Sequence, residues 1–143
     1  MYKKILVALD LSTDSQKVID TAVRMAGKEA KKLHLVHVVE PVAAAYSMDI
    51  YAININELQQ EAINMAEQRL EKIGKDLGIG KDQVHSLLGA PAPEIRNLAA
   101  EIGADAIVMG SHGHSGWKLL LGSTATKVLH GAKCDVMTVH VGE

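Results

Sequence analysis

Two places in the sequence carry residues whose types and spacing suit a phosphate-bearing ligand. The first runs Gly110-Ser111-His112-Gly113-His114-Ser115-Gly116 and on to Gly122-Ser123-Thr124. Glycine lets the backbone approach a ligand closely, and successive N–H groups in such turns form anion-binding concavities. Gly122-Ser123-Thr124 opens a helix, whose unpaired N–H groups and positive dipole end favour phosphate. Ser123 or Thr124 then serves both as N-cap and as hydroxyl donor to a phosphate oxygen. The second place is Asp10, the acidic residue that ends the aliphatic run Ile5–Leu9. Taken singly, the glycine-rich stretch also reads as a plain strand-to-helix connection. Asp10 likewise reads as an acidic residue steadying the turn before a helix.

Other chemistries find no support. His112 and His114 suit donation to phosphates, but they lack the third and fourth ligands of a zinc site, so no metal site is expected. No Gly-Lys-Ser or Gly-Lys-Thr occurs, which excludes a Walker-type loop. The turn Leu11-Ser12-Thr13-Asp14-Ser15 has no glycine to cradle a flavin phosphate, and Leu88-Gly89 stands where a phospho-acceptor receiver would place an aspartate. Gly-x-Ser-x-Gly is absent, and no residue is set to activate a water against a γ-phosphate. Binding without catalysis is the reading, with slow hydrolysis by positioning alone as an alternative.

The elements that must position these residues follow from hydrophobic periodicity. Ile5–Leu9, Leu33–Val39, Val84–Leu88, Ala106–Met109 and Val136–Val141 are short aliphatic runs and read as strands, the first of them buried on both faces. Helical spacing runs from Val18 to Ala30, with Gly27 tolerated, and Thr13-Asp14-Ser15-Gln16 has the form of a capping box at its start. Leu58, Ala62, Met65, Ala66, Leu70, Ile73 and Leu77 make the stripe of the clearest helix, which Gly78 and Gly80 stop. Pro91 and Pro93 open a third helix closed by Gly103, and a short fourth covers Thr124–Gly131. Residues 41–55 follow neither period and form a connection of about 15 residues, long for a compact domain.

The 143 residues fit one domain, with no internal repeat. Fifteen Lys and Arg against 17 Asp and Glu leave a net charge of −2, which speaks against nonspecific nucleic-acid or membrane-surface binding. The absence of Phe calls for an aliphatic core and leaves few platforms for base stacking. Cys134 has no partner for a bridge, in keeping with a reducing compartment, and it reads as a small buried hydrophobe. The apolar run after Lys3-Lys4 is too short for a signal peptide, and no run reaches the length of a membrane span. A cytoplasmic location is expected.

Strands alternating with helices predict an α/β fold with a parallel sheet covered on both faces. Among doubly wound orders, 3-2-1-4-5 makes the first and fourth strands neighbours. Asp10 and the loop from Gly110 then meet at their carboxyl ends. The last strand would be an edge rich in β-branched residues. Pairing it with its mate in a homodimer buries Met137, Val139 and Val141, or the alternate set.

Lys3-Lys4-Ile5-Leu6-Val7-Ala8-Leu9-Asp10, Leu35-Val36-His37-Val38-Val39-Glu40, Gly89-Ala90-Pro91 and Ile107-Val108-Met109-Gly110-Ser111-His112-Gly113 running into Gly122-Ser123 together resemble the universal stress protein family over essentially the whole length. The resemblance implies a small Rossmann-like domain of residues 1–143 that dimerises through residues 136–141 and binds ATP or AMP. ATP-binding members carry Gly-x-x-Gly, nine residues, then Gly-Ser/Thr. Here eight residues separate Gly113 from Gly122, a shortening that a tighter turn at Gly116 absorbs. Carried over, the resemblance places Ala8, Leu9 and Asp10 at the adenosine, with Asp10 on the ribose hydroxyls or a hydrated Mg2+. Val38 faces adenine through its backbone. Gly110, Gly113, Gly122, Ser123 and Thr124 hold the phosphates, and Met109, His112 and His114 complete the nucleotide-binding set. The implied role is a homodimeric regulator in stress response or signalling, the alternatives being a dimeric interaction protein with no nucleotide or a slow ATPase.

Overall fold

The computed structural model describes residues 2–41, 52–111 and 123–141; the side chains of residues 52–55 and 123–125 fall outside this description. In chain order the elements are β1 (Ile5–Ala8), α1 (Ser15–Met25), β2 (Leu33–Val39), α2 (Ala52–Leu77), β3 (Val84–Leu88), α3 (Pro91–Ile102), β4 (Ala106–Gly110), α4 (Ser123–Gly131) and β5 (Asp135–Val139). The five strands form one parallel sheet in the order β3-β2-β1-β4-β5, as the alternation of elements predicts. β1 lies at its centre with every residue buried, which is why Ile5–Ala8 is uninterrupted aliphatic sequence.

The period of two along the strands splits the core. Ile5, Val7, Leu33, Leu35 and Val108 pack against Val18, Ile19 and Ala22 of α1 and Ala66 and Leu70 of α2. Leu6, Val36, Val38, Ile107 and Met109 pack against Ile95, Leu98 and Ala99 of α3 and Val128 of α4. The largest fully buried side chains are all Ile, Leu, Met and Val, as a chain without Phe requires. Cys134 is half-buried and packs against the second cluster, short of the full burial expected.

Three local expectations are corrected. The capping box at Thr13 does not form; α1 starts at Ser15 with Asp14 as N-cap, and Gln16 reaches Asp20 instead. Nor does α1 continue to Ala30. Gly27 and Lys28 both have left-handed φ, 62° and 67°, and the Lys28 and Gly27 N–H groups bond the carbonyls of Val23 and Arg24. That is a Schellman end, which uses glycine as a terminator. Finally, the stripe of α2 is apolar beyond the part that packs. Ala66 and Leu70 are buried, but Leu58 and Met65 are 54% and 62% exposed. The face that packs is the row Ile63, Ala66, Leu70, Ile73 and Leu77, and at 3.6 residues per turn Leu58 and Met65 fall on the flank beside it. Residues 42–51, the core of the aperiodic stretch, lie outside the described residues.

Candidate functional site

Ala8 pairs with Met109 and also with Val36, so β1, β2 and β4 end side by side. Just beyond, Ala8, Leu9, Asp10 and Gly110 line one hollow, closed by Asp14, Ser15 and Val18 at the start of α1 and by Val141 after β5. The sheet order thus brings the acidic residue and the first glycine of the loop together at the point where the winding reverses. Such crevices are where open α/β sheets bind ligands. The hollow is narrow, about 10 Å3, room for one water, so a larger ligand would rest across its mouth.

Asp10 is held in place by the turn that follows it. Its Oδ1 accepts the Ser12 N–H at 3.0 Å, the Ser12 hydroxyl at 2.7 Å and the Ser15 hydroxyl at 3.3 Å. Ser12 Oγ in turn accepts the Asp14 N–H at 3.2 Å. This is an Asx-type turn, in which a side chain substitutes for backbone in starting a helix. It is also why the Thr13 box is not needed. The turn passes through Leu11, whose φ of 63° is left-handed yet whose side chain is buried.

Two residues outside the expected set brace this turn. The His37 Nδ1–H donates to the Leu9 carbonyl at 2.7 Å, and Arg69 on α2 donates to the carbonyl of Leu11. Burial pushes the His37 imidazole below its ordinary value, opposed by the Leu9 hydrogen bond and the Asp10 charge and reinforced by Arg69. A neutral imidazole donating through Nδ1 leaves Nε2 as an acceptor. The position of His37 directly before Val38 was a usable signal. Arg69, 58 positions from Leu11, had none, because only the packing angle of α2 brings it there.

The remaining expected residues divide into three groups. Val38, two positions past the residue paired with Ala8, stands level with Asp10 one strand over, its side chain buried among the α3 and α4 contacts. Met109 is buried on that same face. Ser123 and Thr124 are the first two residues of α4, so a helix does begin there. Ser111, directly after β4, donates its N–H to the Val139 carbonyl at 2.8 Å and accepts the Val141 N–H on its hydroxyl. His112, Gly113, His114 and Gly122 lie outside the described residues. Among the described residues no three His, Cys, Asp or Glu side chains converge on a metal position, and no helix is long and apolar enough to cross a membrane.

The sequence model of the universal stress protein family matches residues 1–140. This chain belongs to that family. A universal stress protein A homolog of Coxiella burnetii is 38% identical over 143 residues, covering 99% of both chains. Among solved structures, the Methanocaldococcus jannaschii universal stress protein MJ0577 superposes with a TM-score of 0.80 at 28% identity, covering 100% of this chain and 99% of its own. A universal stress protein crystallised in complex with cAMP superposes with a TM-score of 0.60 at 25% identity, covering 99% of both chains. Family membership and the sheet order therefore agree with the resemblance read from the β1 and β4 segments.

Proposed function

We propose that this universal stress protein is a regulatory module that binds ATP or AMP across the mouth of the β1–β4 crevice. The observation that carries the reading is the shared hollow of Asp10 and Gly110 at the reversal of the sheet; the cAMP complex of a relative supports an adenine nucleotide as the ligand class. In this reading Ala8, Leu9 and Asp10 meet the adenosine, and Val38 presents backbone to the base. The loop from Met109 and Gly110 through His112, Gly113 and His114 to Gly122, Ser123 and Thr124 holds the phosphates. No residue is assigned to catalysis. Occupancy would change the surface shown to a partner in the cell, which we place in the cytoplasm.

A magnesium ion fits this donor set only in one way. A single carboxylate whose Oδ1 already serves three donors suits contact through water, with the nucleotide phosphates as direct ligands, the usual arrangement for Mg2+.

We also propose a homodimer through β5. This strand is a sheet edge with Met137 43% exposed, and an apolar edge of this kind calls for cover. Val139 and Val141 are already buried within the chain, so Met137 is the member of the expected set that a second copy would cover.

The decisive experiment is a thermal titration with ATP, AMP and cAMP, with and without Mg2+, beside mass spectrometry of nucleotide released from the purified protein. A ligand that binds only the folded state raises Tm as its concentration passes Kd. A saturable rise that Asp10→Asn weakens supports the reading; a flat Tm at millimolar nucleotide overturns it.

A further inference from the structure

A hollow much roomier than the crevice lies elsewhere in the fold. It lies at the opposite end of the sheet, where α2 finishes beside the start of β3, has a volume of about 520 Å3, and falls within the usual range for small-molecule sites. Ile79, Gly80 and Val84 form an apolar wall, and Lys72, Lys75 and Lys81 stand around it with Glu71. Three ammonium groups stand against the Glu71 carboxylate and that of Asp82, which lies beside Gly80, so this rim is net positive by one on a chain whose total is −2. No ion pair engages these three lysines among the described residues.

Three features show that the hollow belongs to the fold. Gly74 lets α2 pass close to β3: a Cβ there would stand 2.9 Å from Val84 Cγ2 and 3.3 Å from Ile79 Cγ1. The negative end of α2, which would repel an anion, is partly closed off, since the Gly78 and Ile79 N–H groups bond the carbonyls of Lys75 and Gly74. A second hollow of about 200 Å3 adjoins the first, sharing Glu71, Lys81 and Val84, and is walled by Glu67 and Ser86. The Ser86 hydroxyl is buried with no hydrogen-bond partner.

We propose that this trough between α2 and β3 binds a small organic anion with an apolar body. Its carboxylate or phosphate head sits among Lys72, Lys75 and Lys81, and its body lies on Ile79 and Val84. Apolar burial supplies area-proportional affinity, and the lysines select for charge. The site is independent of the nucleotide reading, from which it is separated by the length of the sheet.

The test is an amide chemical-shift titration of the full chain with decanoate, decyl phosphate and 1-decanol below their aggregation limits. The expected result is saturable shifts over residues 71–86 with either anion and weaker binding of the alcohol. The stronger of the two anions identifies the head group. Lys72→Gln/Lys75→Gln/Lys81→Gln, three exposed positions, is expected to weaken anion binding about tenfold at low salt and to leave decanol binding unchanged. Lys81→Glu alone gives the same direction if the triple variant folds poorly. Shifts that do not saturate, equal affinity for decanol and decanoate, or undiminished binding by the lysine variants would each overturn the proposal.

Discussion

His34 Nδ1 lies 3.1 Å from His85 Nε2, joining β2 to the edge strand β3. The ring planes are 15° apart and the centroids 5.4 Å apart, so the rings meet edge to edge and the contact is an N–H···N hydrogen bond. One imidazole must donate and the other accept. Two charged rings have only donors and cannot keep the bond.

The first prediction concerns acid. Burial pushes His34 and His85 below the ordinary 6.5; for His34 its neighbour His85 and Lys4 add to this and Asp82 opposes it, and for His85 Glu101 and Asp82 oppose it. Burial lowers His37 as well. The unfolded chain therefore binds more protons than the folded one, and stability rises with pH through this window. The histidine contribution is complete above pH 6.5 and drains away as the pH falls below it toward the depressed folded values. Melting temperatures are expected to level off above pH 7 and decline from 6.5 downward, with a shallower decline in His34→Gln/His85→Gln. A slope unchanged by that double substitution would remove the pair from the account.

Asp10 has two roles that substitutions separate. Asparagine keeps an oxygen to accept the Ser12 N–H, while alanine leaves both serines without their acceptor. Asp10→Ala is expected to cost about 1–2 kcal/mol of stability and Asp10→Asn about half that or less, measured by urea unfolding. Equal losses in the two variants would show that the turn depends on the charge.

Arg69→Met removes the donor to Leu11 while keeping the apolar stem. Its exposure limits the expected loss to about 1 kcal/mol. Amide exchange at residues 10–15 should accelerate more than at β4, since the brace acts on the turn. Uniform acceleration would mean that Arg69 serves the fold as a whole.

Gly74→Ala sets two effects against each other. Alanine raises helix propensity by up to about 1 kcal/mol, but its Cβ would press on Val84 at 2.9 Å, and overpacking costs about 1–3 kcal/mol. A net loss of about 1 kcal/mol is expected in chemical denaturation. A stabilised variant would show that α2 can lift off β3 freely.

Met137→Lys places a charge on the open edge of β5. Sedimentation is expected to give a dimer for the native chain and a monomer for the variant, with the melting temperature falling in parallel. A native chain that sediments as a monomer at every concentration would dispose of the interface.

The strands were legible because a parallel sheet buried on both faces demands continuous aliphatic runs, and Ile5–Leu9 and Ala106–Met109 have no other use. The order of strands followed from one choice among few doubly wound patterns. In the site, Asp10 and Gly110 were legible because both close a strand at its carboxyl end, where position along the chain fixes position in space. Arg69 and the packed face of α2 were not, since two apolar rows share that helix and periodicity alone does not say which of them meets the sheet. Leu58 and Met65 belong to the row that stays exposed, Ile63 and Leu70 to the row that packs. The capping box at Thr13 failed for a local reason: a carboxylate two residues before Ser12 organises the turn first.

The central position of β1 bears on how the chain is made. Ile5 is paired on one side with Leu33 and on the other with Ala106, so its second neighbour is synthesised about 100 residues after it. At 5–20 residues per second, a ribosome delivers the first 100 residues of this protein in roughly 5–20 seconds, and for most of that time the most apolar strand has a bare flank. Newly made chains thus pass through an interval in which a holdase has something to grip, and translation pauses ahead of Ala106 would lengthen it.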